Sequence, residues 1–254
     1  MPFSKNFILS RANPADFEDL RPHLRVVELE HGKVLAHSRG RVNQVYFPHA
    51  GIISCVVELE NGSAIESGMI GKDGVFGASL ALDSKISLHK VMVQVPGVAT
   101  VVDADHLRVA AHSSLKFLAL LIKYDQFFLG QVQQTTACNA LHNVEQRTCK
   151  WLARMHDLAG AELPLTQEFL AQMMGVRRSS VTGVASKLQE EGLISYRRGK
   201  LTILNMDLLQ RRACECHRAV RELYAIEFGN IGGRSPRLTP TSAPNCNQGS
   251  ALTS

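Results

Sequence analysis

The sequence predicts an α+β fold in which an antiparallel β domain comes first and a small helical domain with a β-hairpin comes last. Short alternations of apolar and polar residues fill residues 26–102. From residue 113 onwards the apolar residues recur at helical spacing instead. Residues 165–204 then contain two short helical patterns followed by a hairpin pattern. The chain therefore divides into a sheet, a long helix and a compact C-terminal domain.

The composition favours a protein that folds in water. The chain has 254 residues, of which 45% are hydrophobic and 20% are charged, enough for one large or two modest domains. No stretch approaches the roughly 18 apolar residues of a membrane span, and the N-terminus lacks the apolar core of a signal peptide. The six scattered cysteines are expected to be reduced thiols. We therefore expect a cytoplasmic protein with no membrane partner.

The first 102 residues predict a helical start and then a β domain. Residues 1–24 carry apolar side chains at helical intervals. Turn signals separate the strand candidates that follow, and Asn61-Gly62 is the strongest hairpin signal among them. The strand candidates are residues 26–29, 45–47, 52–59, 64–65, 90–95 and 98–102. Many short strands at close spacing indicate an antiparallel sandwich or barrel.

Helical periodicity dominates the next part of the chain. Residues 113–138 predict one long helix with an apolar side. That side consists of Leu118, Leu121, Ile122, Phe128, Leu129 and Val132. Residues 143–158 predict a further helix, in which the lone Trp151 is expected to be a core residue. Near the end, Asn205 can cap a last helix that continues through Tyr224, and the aromatic-free residues 230–254 are expected to form a disordered tail.

Residues 165–191 predict two helices joined by a tight turn. Thr166 can cap the first helix, and Leu165 and Leu170 can form a hydrophobic staple across this cap. Gly175 ends the helix, because glycine readily adopts the positive φ of a helix exit. The apolar residues of the second helix form one narrow stripe, Val181, Val184, Ala185 and Leu188. The opposite face is small, polar and basic, which suits close approach to base edges in a DNA major groove.

A basic hairpin follows the two helices. Residues 194–204 alternate on both sides of a turn that contains Gly199, which predicts a β-hairpin with three cations at its tip. Between Gly175 and Leu204 there are six cations and two anions, so this net +4 accounts for nearly all of the chain's +5. The alternative is an αα-hairpin packed in a core beside a solvated basic loop. The hairpin's position favours a winged helix-turn-helix that binds DNA.

Several short motifs in residues 165–204 match a known pattern. They are Leu170-Ala171-Gln172-Met173-Met174-Gly175, Arg178, Ser180-Val181 and Leu188-Gln189-Glu190-Glu191-Gly192-Leu193-Ile194. With the basic hairpin, these motifs resemble the Crp/Fnr family of bacterial transcriptional regulators. Arg177 departs from the family, which usually has a Ser or Thr cap there, and Ser179 and Gly183 stand where it often has Glu and Arg. Arg178 keeps the family's first base-reading arginine, but the half-site of better known members does not carry over.

The resemblance implies an N-terminal jelly roll related to cyclic-nucleotide-binding domains, a long dimerisation helix and a C-terminal winged helix-turn-helix. The corresponding segments are residues 1–112, 113–142 and 143–229, followed by the tail 230–254. It also implies a homodimer on a palindromic operator in double-stranded DNA, with RNA polymerase as a partner at promoters and no enzymatic activity. Helix 177–191 would enter the major groove, and hairpin 194–204 would contact the backbone. The predicted DNA-binding residues are Arg177, Arg178, Ser179, Thr182, Ser186, Lys187, Arg197, Arg198 and Lys200.

The alternative is the same regulator controlled by a cyclic nucleotide. Residues 70–77, with the sequence IGKDGVFG, resemble the loop of nucleotide-binding members. Those members follow its last glycine with a Glu for the ribose and, further along, with an Arg for the cyclic phosphate. Here Ala78 and Ser87-Leu88-His89 occupy these positions. Lys85 or Lys90 could replace the arginine only as a point charge, so we expect no cyclic AMP binding in this mode and leave the effector unknown.

Other kinds of site and protein are weaker alternatives. Cys214-Glu215-Cys216-His217 invites a metal site, but zinc needs further ligands at workable spacing, and Cys-x-Cys-His on one helix splays its side chains. We therefore expect no metal and no cofactor, with one of these cysteines buried and the other exposed. A winged helix can also serve as a protein dock without DNA affinity. A jelly roll can hold an enzyme's metal-binding histidines, but the strands lack the corresponding His motif.

Overall fold

The structure, a computed structural model, describes residues 5–229. The strands are β1 (Arg25–Leu29), β2 (Val34–Ala36), β3 (Gln44–Glu58), β4 (Ala64–Ile70), β5 (Lys90–Asp103), β6 (Glu162–Pro164), β7 (Ile194–Arg197) and β8 (Lys200–Ile203). The α-helices are α1 (Pro14–Leu20), α2 (Ala78–Leu82), α3 (Ala104–Ser113), α4 (Leu115–Leu141), α5 (Val144–Ala159), α6 (Gln167–Met174), α7 (Arg178–Glu190), α8 (Met206–Arg212) and α9 (Cys216–Phe228). The predicted disordered tail, residues 230–254, lies outside the described residues. Within the described residues, no helix is both long and apolar enough to cross a membrane.

One antiparallel sheet forms the N-terminal domain, which confirms the predicted fold class. Its strands run in the order β1-β5-β3-β4, and β2 also pairs with β5. The predicted short strands are joined here. β3 includes the candidate at 45–47 and all but the last residue of the candidate at 52–59, and β5 includes those at 90–95 and 98–102. Pairing continues across Pro48 and Ala50 through shifts in register, which bend a strand without ending it. Gly97 permits the close approach there, since a Cβ atom on it would lie 2.1 Å from the Ala50 carbonyl oxygen.

The predicted long helix is present as α4, and it follows α3, a helix that the sequence did not predict. Ser114 separates the two helices, because its extended backbone ends α3 and its side chain caps α4. The Phe117 backbone N–H donates to Ser114 Oγ at 3.2 Å, a typical capping hydrogen bond. Ser114 is therefore the residue at which α3 ends and the long helix begins.

The two sides of α4 face different surroundings. One side packs into the protein through Phe117, Leu121 and Phe127, and α9 covers part of it with Tyr224 and Phe228. The opposite side is exposed, with Ile122 at 47% and Leu129 at 56% of their full exposure. The predicted single apolar side is therefore wrong in part, since Leu121 and Ile122 lie on different faces. Periodicity alone did not separate the two faces, because both are apolar.

The predicted last helix is two helices. Asn205 caps α8, as expected, and its Oδ1 accepts a hydrogen bond from the Leu208 N–H at 2.9 Å. The chain leaves the helical path at Ala213 and resumes it in α9. As a result Cys214 and Cys216 are both buried, at 5% and 0% exposure, so the expectation of one buried and one exposed cysteine is wrong. The physical reason is that residues i and i+2 splay only while both belong to one continuous helix.

The two domains share a buried core. Apolar side chains of β3 and β4 join those of α5, α6 and α7 in one cluster. Trp151 of α5 belongs to it, as predicted, and its Nε1–H donates to Glu66 Oε1 of β4 at 2.9 Å. Ser54 Oγ lies 2.7 Å from Glu66 Oε2. Burial raises the pKa of the Glu66 carboxyl to about 7, so this domain junction holds a largely neutral acid below that pH.

Replacing Glu66 by glutamine should remove a pH dependence of folding. The pKa of Glu66 is raised from 4.5 to about 7, so its stabilising contribution is complete below pH 4.5 and is lost as the pH rises through 7. Glutamine keeps a neutral side chain of the same shape, with an acceptor for Trp151 and a donor for Ser54. Between pH 5 and pH 8, the free energy of unfolding measured in urea should fall by up to about 3 kcal/mol more for the wild type than for the variant. Exposed Glu60→Gln is the control, and parallel pH curves for Glu66→Gln and the wild type would contradict the prediction.

Candidate nucleic-acid interface

The first helix of the helix-turn-helix begins and ends where the sequence predicts. The Phe169 backbone N–H donates to Thr166 Oγ1 at 3.1 Å, which confirms the cap of α6. Leu165 and Leu170 are both buried on either side of this cap, as the staple requires. Gly175 ends α6 in the left-handed conformation, with φ +62° and ψ +39°. These local signals fix the residues at which α6 begins and ends.

The second helix, α7, presents one face to the core and one to the outside. Val181, Ala185 and Leu188 are buried in the core shared with the other domain. The residues predicted to face DNA are all exposed, and they are Arg177, Arg178, Ser179, Thr182, Ser186 and Lys187. Arg177 takes the N-cap position without a side-chain capping hydrogen bond, as its departure from the usual Ser or Thr would suggest. The outer face therefore combines two cations at the first turn with short polar side chains beyond it.

The hairpin β7–β8, which we call the wing, supplies the other predicted contacts. Its two-residue tip has positive φ at both positions, +47° at Arg198 and +76° at Gly199, which is the geometry of a tight hairpin turn. Arg197, Arg198 and Lys200 are exposed around this tip. The sequence did not predict β6, which pairs with β8 and makes the wing part of a three-stranded sheet. The Tyr196 hydroxyl also donates to the Leu165 carbonyl oxygen, which ties the wing to the start of α6.

Acidic side chains pair with some of the cations on this surface. Arg178 lies 3.3 Å from Glu168 and Lys200 lies 2.5 Å from Glu162, both in exposed pairs that contribute little stability. The Lys187 ammonium donates to Glu145 at 2.8 Å and holds the pKa of that carboxyl below its usual value. By contrast, Arg177, Arg197 and Arg198 form no salt bridge with any described residue. Among the described residues, this surface therefore combines cations that have exposed carboxylate partners with cations that have none.

Gln167 also belongs to this surface, although the sequence did not predict it as a site residue. Thr182 on α7 donates a hydrogen bond from Oγ1 to Gln167 Oε1, at 2.8 Å, in the first turn of α6. Gln167 therefore contacts a side chain that was predicted to face DNA. The Thr166 cap could have indicated that Gln167 lies at the exposed start of α6. The hydrogen bond with Thr182 could not be predicted, because it depends on the angle between α6 and α7.

The cyclic-nucleotide position of the N-terminal domain holds no arginine. Ala78 is buried at the start of α2, and Gly77 before it has φ +90°. Lys85 lies 2.6 Å from Asp105, and Lys90 lies 2.8 Å from Glu58. Each of the two lysines considered as a phosphate ligand is thus already paired with a carboxylate. A cyclic phosphate would have to displace these partners, and lysine offers no fork of donors to compensate.

Known proteins provide a comparison for both parts of the chain. Residues 146–212 match the family of the Crp-like helix-turn-helix domain. A CRP-family transcriptional regulator from Thermus thermophilus is 18% identical with a TM-score of 0.61, over 74% of this chain and 96% of that one. FixK2 from Bradyrhizobium japonicum is 14% identical with a TM-score of 0.64, over 75% and 98%. The c-di-GMP-responsive global regulator CLP from Xanthomonas campestris is 16% identical with a TM-score of 0.61, over 76% and 100%.

The comparisons agree with the resemblance that the motifs in residues 165–204 indicate. A comparison with curated protein sequences found no match, so the structural neighbours define the fold and the domain match defines the helix-turn-helix. The TM-scores of 0.61 and 0.64 extend over about three quarters of this chain and nearly all of each neighbour, so the likeness includes more than the helix-turn-helix domain. Residues 146–212 therefore form a Crp-like helix-turn-helix domain, and the chain has the fold of solved Crp/Fnr-family regulators.

Proposed function

We propose that this protein is a Crp/Fnr-type transcriptional regulator. It binds an inverted-repeat operator as a homodimer, with α7 in the major groove and the wing on the DNA backbone. The observation that carries the proposal is the division of α7 into a buried apolar face and an exposed face of arginine and small polar residues. Short side chains allow a helix to approach base edges, and arginine can donate two hydrogen bonds to guanine. The wing cations lie on an adjacent exposed tip, where phosphate is the expected partner. Selection of bound sequences from a random DNA pool tests the proposal directly.

Replacing Arg178 by alanine should remove preference at one base pair in each half-site. Arg178 is 68% exposed at the first turn of α7, and its exposed pair with Glu168 is readily exchanged for a base. A bidentate contact to guanine contributes about 1–3 kcal/mol of discrimination, so affinity for the selected site should fall while affinity for random duplex should change little. The measurement is a pair of titrations on the two duplexes.

The control for this experiment is Arg25→Ala, which removes an exposed arginine from β1 in the other domain. It should leave both affinities unchanged. If Arg178→Ala weakened binding to both duplexes equally, Arg178 would be a phosphate contact and not a base contact. Thr182→Val offers a second comparison, because it keeps the side-chain size and removes the hydroxyl bonded to Gln167.

The exposed face of α4 supports a dimer. Leu115, Ile122 and Leu129 are 80%, 47% and 56% exposed and lie seven residues apart on this face. Apolar residues at seven-residue spacing form the seam of a coiled coil when two helices pair. The opposite face of α4 is already covered by its own chain. We therefore place the dimer seam on the Leu115–Ile122–Leu129 face, which narrows the broader apolar side predicted from the sequence.

A double substitution, Ile122→Glu and Leu129→Glu, should convert the dimer to a monomer. The two carboxylates would face their own copies across the seam, where like charges are unfavourable. Sedimentation should show a dimer for the wild type and a monomer for the variant, and the variant should lose the preference for paired half-sites spaced by a whole number of DNA turns. Lys116→Glu changes charge beside the seam and should remain a dimer. A wild-type monomer on an asymmetric site would contradict the dimer.

Two further parts of the proposal come from the resemblance to Crp/Fnr regulators. A dimer bound at a promoter would lie next to RNA polymerase, which we include as a partner. Such a regulator would work in the cytoplasm, where DNA is accessible. A co-sedimentation experiment with RNA polymerase on promoter DNA tests the first of these.

A further inference from the structure

Three cysteines and a histidine from distant parts of the sequence meet beside the junction of the long helix and the C-terminal domain. Cys138 lies in the last turn of α4, and His142 is the C-cap residue of that helix. Cys214 lies in the break between α8 and α9, and Cys216 is the first residue of α9. We call these four residues the Cys3His cluster. Its three cysteines are buried and its histidine is half-buried, and the cysteines form a cluster apart from the main cores.

The distances within the Cys3His cluster match those of a tetrahedral metal site. All four candidate ligand atoms lie within 4.8 Å of one another. Cys138 Sγ and Cys214 Sγ are 3.5 Å apart, and Cys216 Sγ lies 3.6 Å from His142 Nδ1. A tetrahedral zinc ion with ordinary bond lengths separates two sulfur ligands by roughly 3.8 Å, and a sulfur from a nitrogen by roughly 3.6 Å. One ion at the centre could reach all four atoms with little movement.

We propose that the Cys3His cluster binds one zinc ion through three thiolates and His142 Nδ1. The sequence pattern led to the opposite expectation, because Cys-x-Cys-His suggested His217 as the neighbouring ligand. In the structure His217 Nε2 instead contacts Asp157 Oδ2 at 2.8 Å. The missing ligands come from α4, more than seventy residues earlier in the chain. Soft thiolates with one imidazole select zinc over magnesium or calcium.

The surroundings of the cluster are those of a metal site. His142 directs Nδ1 towards Cys216 and places Nε2 3.2 Å from Glu215 Oε2. A histidine that binds a metal commonly donates its other ring N–H to a carboxylate, which fixes the tautomer and the ring orientation. Gln134 Nε2 donates to Cys216 Sγ at 3.1 Å, a hydrogen bond that stabilises a thiolate. Both contacts favour the ligand forms that zinc requires.

A single ion fits the cluster better than an iron–sulfur cluster. In a cluster of several irons the four protein ligands bind different metal atoms, so they are spread more widely than one shared centre requires. Four ligands within 4.8 Å of one another leave no space for bridging sulfides between them. With four protein ligands and no open position, the site is of the structural kind.

The position of the site gives it a mechanical role. It joins the end of α4, which carries the dimer seam in our proposal, to the segment between α8 and α9 of the C-terminal domain. Asn143 and the start of α5 follow His142 directly. The zinc ion therefore fixes the junction at which the DNA-binding domain leaves the long helix. The metal site itself does not depend on the proposed operator, so failure of one proposal would not affect the other.

The test is metal analysis of the full chain purified under reducing conditions and incubated with Zn²⁺. We expect one zinc per chain in the wild type, and less than about a tenth of that in Cys138→Ser and Cys214→Ser. Cys55→Ala and Cys149→Ala are matched controls, because both remove a buried thiol outside the cluster and should retain the zinc. In the wild type, Co²⁺ should give the intense thiolate-to-cobalt absorption and strong visible bands of a tetrahedral Cys3His site.

A second variant tests the site without removing a ligand. Glu215→Gln should weaken zinc about 10–100-fold in competition with a chelator, because it removes the charge that orients His142. Glu222→Gln, further along α9, removes an equal charge and should leave zinc affinity unchanged. The proposal is overturned if the wild type takes up no zinc, if it instead holds iron, or if Cys138 and Cys214 form a stable disulfide under these conditions. It is also overturned if the serine variants retain zinc.

Discussion

Neutralising the wing should weaken binding to every DNA sequence. With Arg197 and Lys200 replaced by alanine and Arg198 by asparagine, the slope of log affinity against log salt should fall by about 2.7 for each wing. If the DNA affinities of the wild type and the variant become equal at 1 M salt, the variant should bind DNA roughly 500-fold more weakly per wing at 0.1 M salt. Asparagine is chosen at position 198 because it tolerates the positive φ of the hairpin tip. Titrations on the selected site and on random duplex, at several salt concentrations, measure both quantities.

Lys200 adds a second effect to the same experiment. Its removal leaves Glu162 without the lysine 2.5 Å away, so a carboxylate would face the phosphates. The single variant Lys200→Ala should therefore be rescued in part by Glu162→Gln. A control protein with Lys33→Ala, Lys72→Ala and Arg25→Ala loses the same charge from the exposed surface of the other domain and should keep its salt slope. A wing variant that bound random duplex normally and lost only the specific site would show that the wing reads bases.

Breaking the ion pair between Arg154 and Asp73 should cost about 3–5 kcal/mol of unfolding free energy. Arg154 Nη2 on α5 lies 2.7 Å from Asp73 Oδ2, and the two side chains are only 10% and 3% exposed. Arg154→Leu would leave the Asp73 carboxylate buried without its guanidinium, and Asp73→Asn would do the same to the cation. The pair connects the DNA-binding domain to the loop after β4, so the loss also loosens the contact between domains. Urea unfolding of the wild type and of each variant measures the change in the free energy of unfolding.

The double variant tests whether Arg154 and Asp73 stabilise the protein as a pair. When both charges are removed, no charge stays buried and unpaired, so Arg154→Leu with Asp73→Asn should cost less than the sum of the single changes. Arg218→Leu is the control, because it removes an exposed arginine from a loose pair with Glu222 on α9 and should change stability little. Additive losses would mean that Arg154 and Asp73 act independently, which their 2.7 Å contact does not predict.

The DNA-binding element could be predicted from the sequence because its determinants are local. The Thr166 cap, the Gly175 exit and the hairpin turn at Gly199 each depend on a few neighbouring residues, and the structure contains all three. The buried stripe of α7 follows from its helical period for the same reason. Exposure of the basic residues on its other face is then a consequence of burying that stripe.

Elsewhere the predicted elements are present, but their extents differ from the prediction. A turn signal at Pro48 predicts the end of a strand, but β5 continues to pair with β3 across it through a bulge. The apolar side of α4 was likewise ambiguous, because Leu121 and Ile122 are equally hydrophobic neighbours. Leu121 is buried in a cluster that includes residues from distant parts of the chain, whereas Ile122 faces outward.

The sequence by itself therefore determined the helix-turn-helix, its wing and the order of the domains, since hydrophobic period, caps and turns act over a few residues. The tertiary structure alone decided which groups from distant segments meet. It placed Trp151 against Glu66 and raised the pKa of that acid, paired Arg154 with Asp73, and brought Cys138 and His142 to Cys214 and Cys216. Burial and charge pairing depend on distances between atoms, and residues far apart in the sequence come close together only when the chain folds.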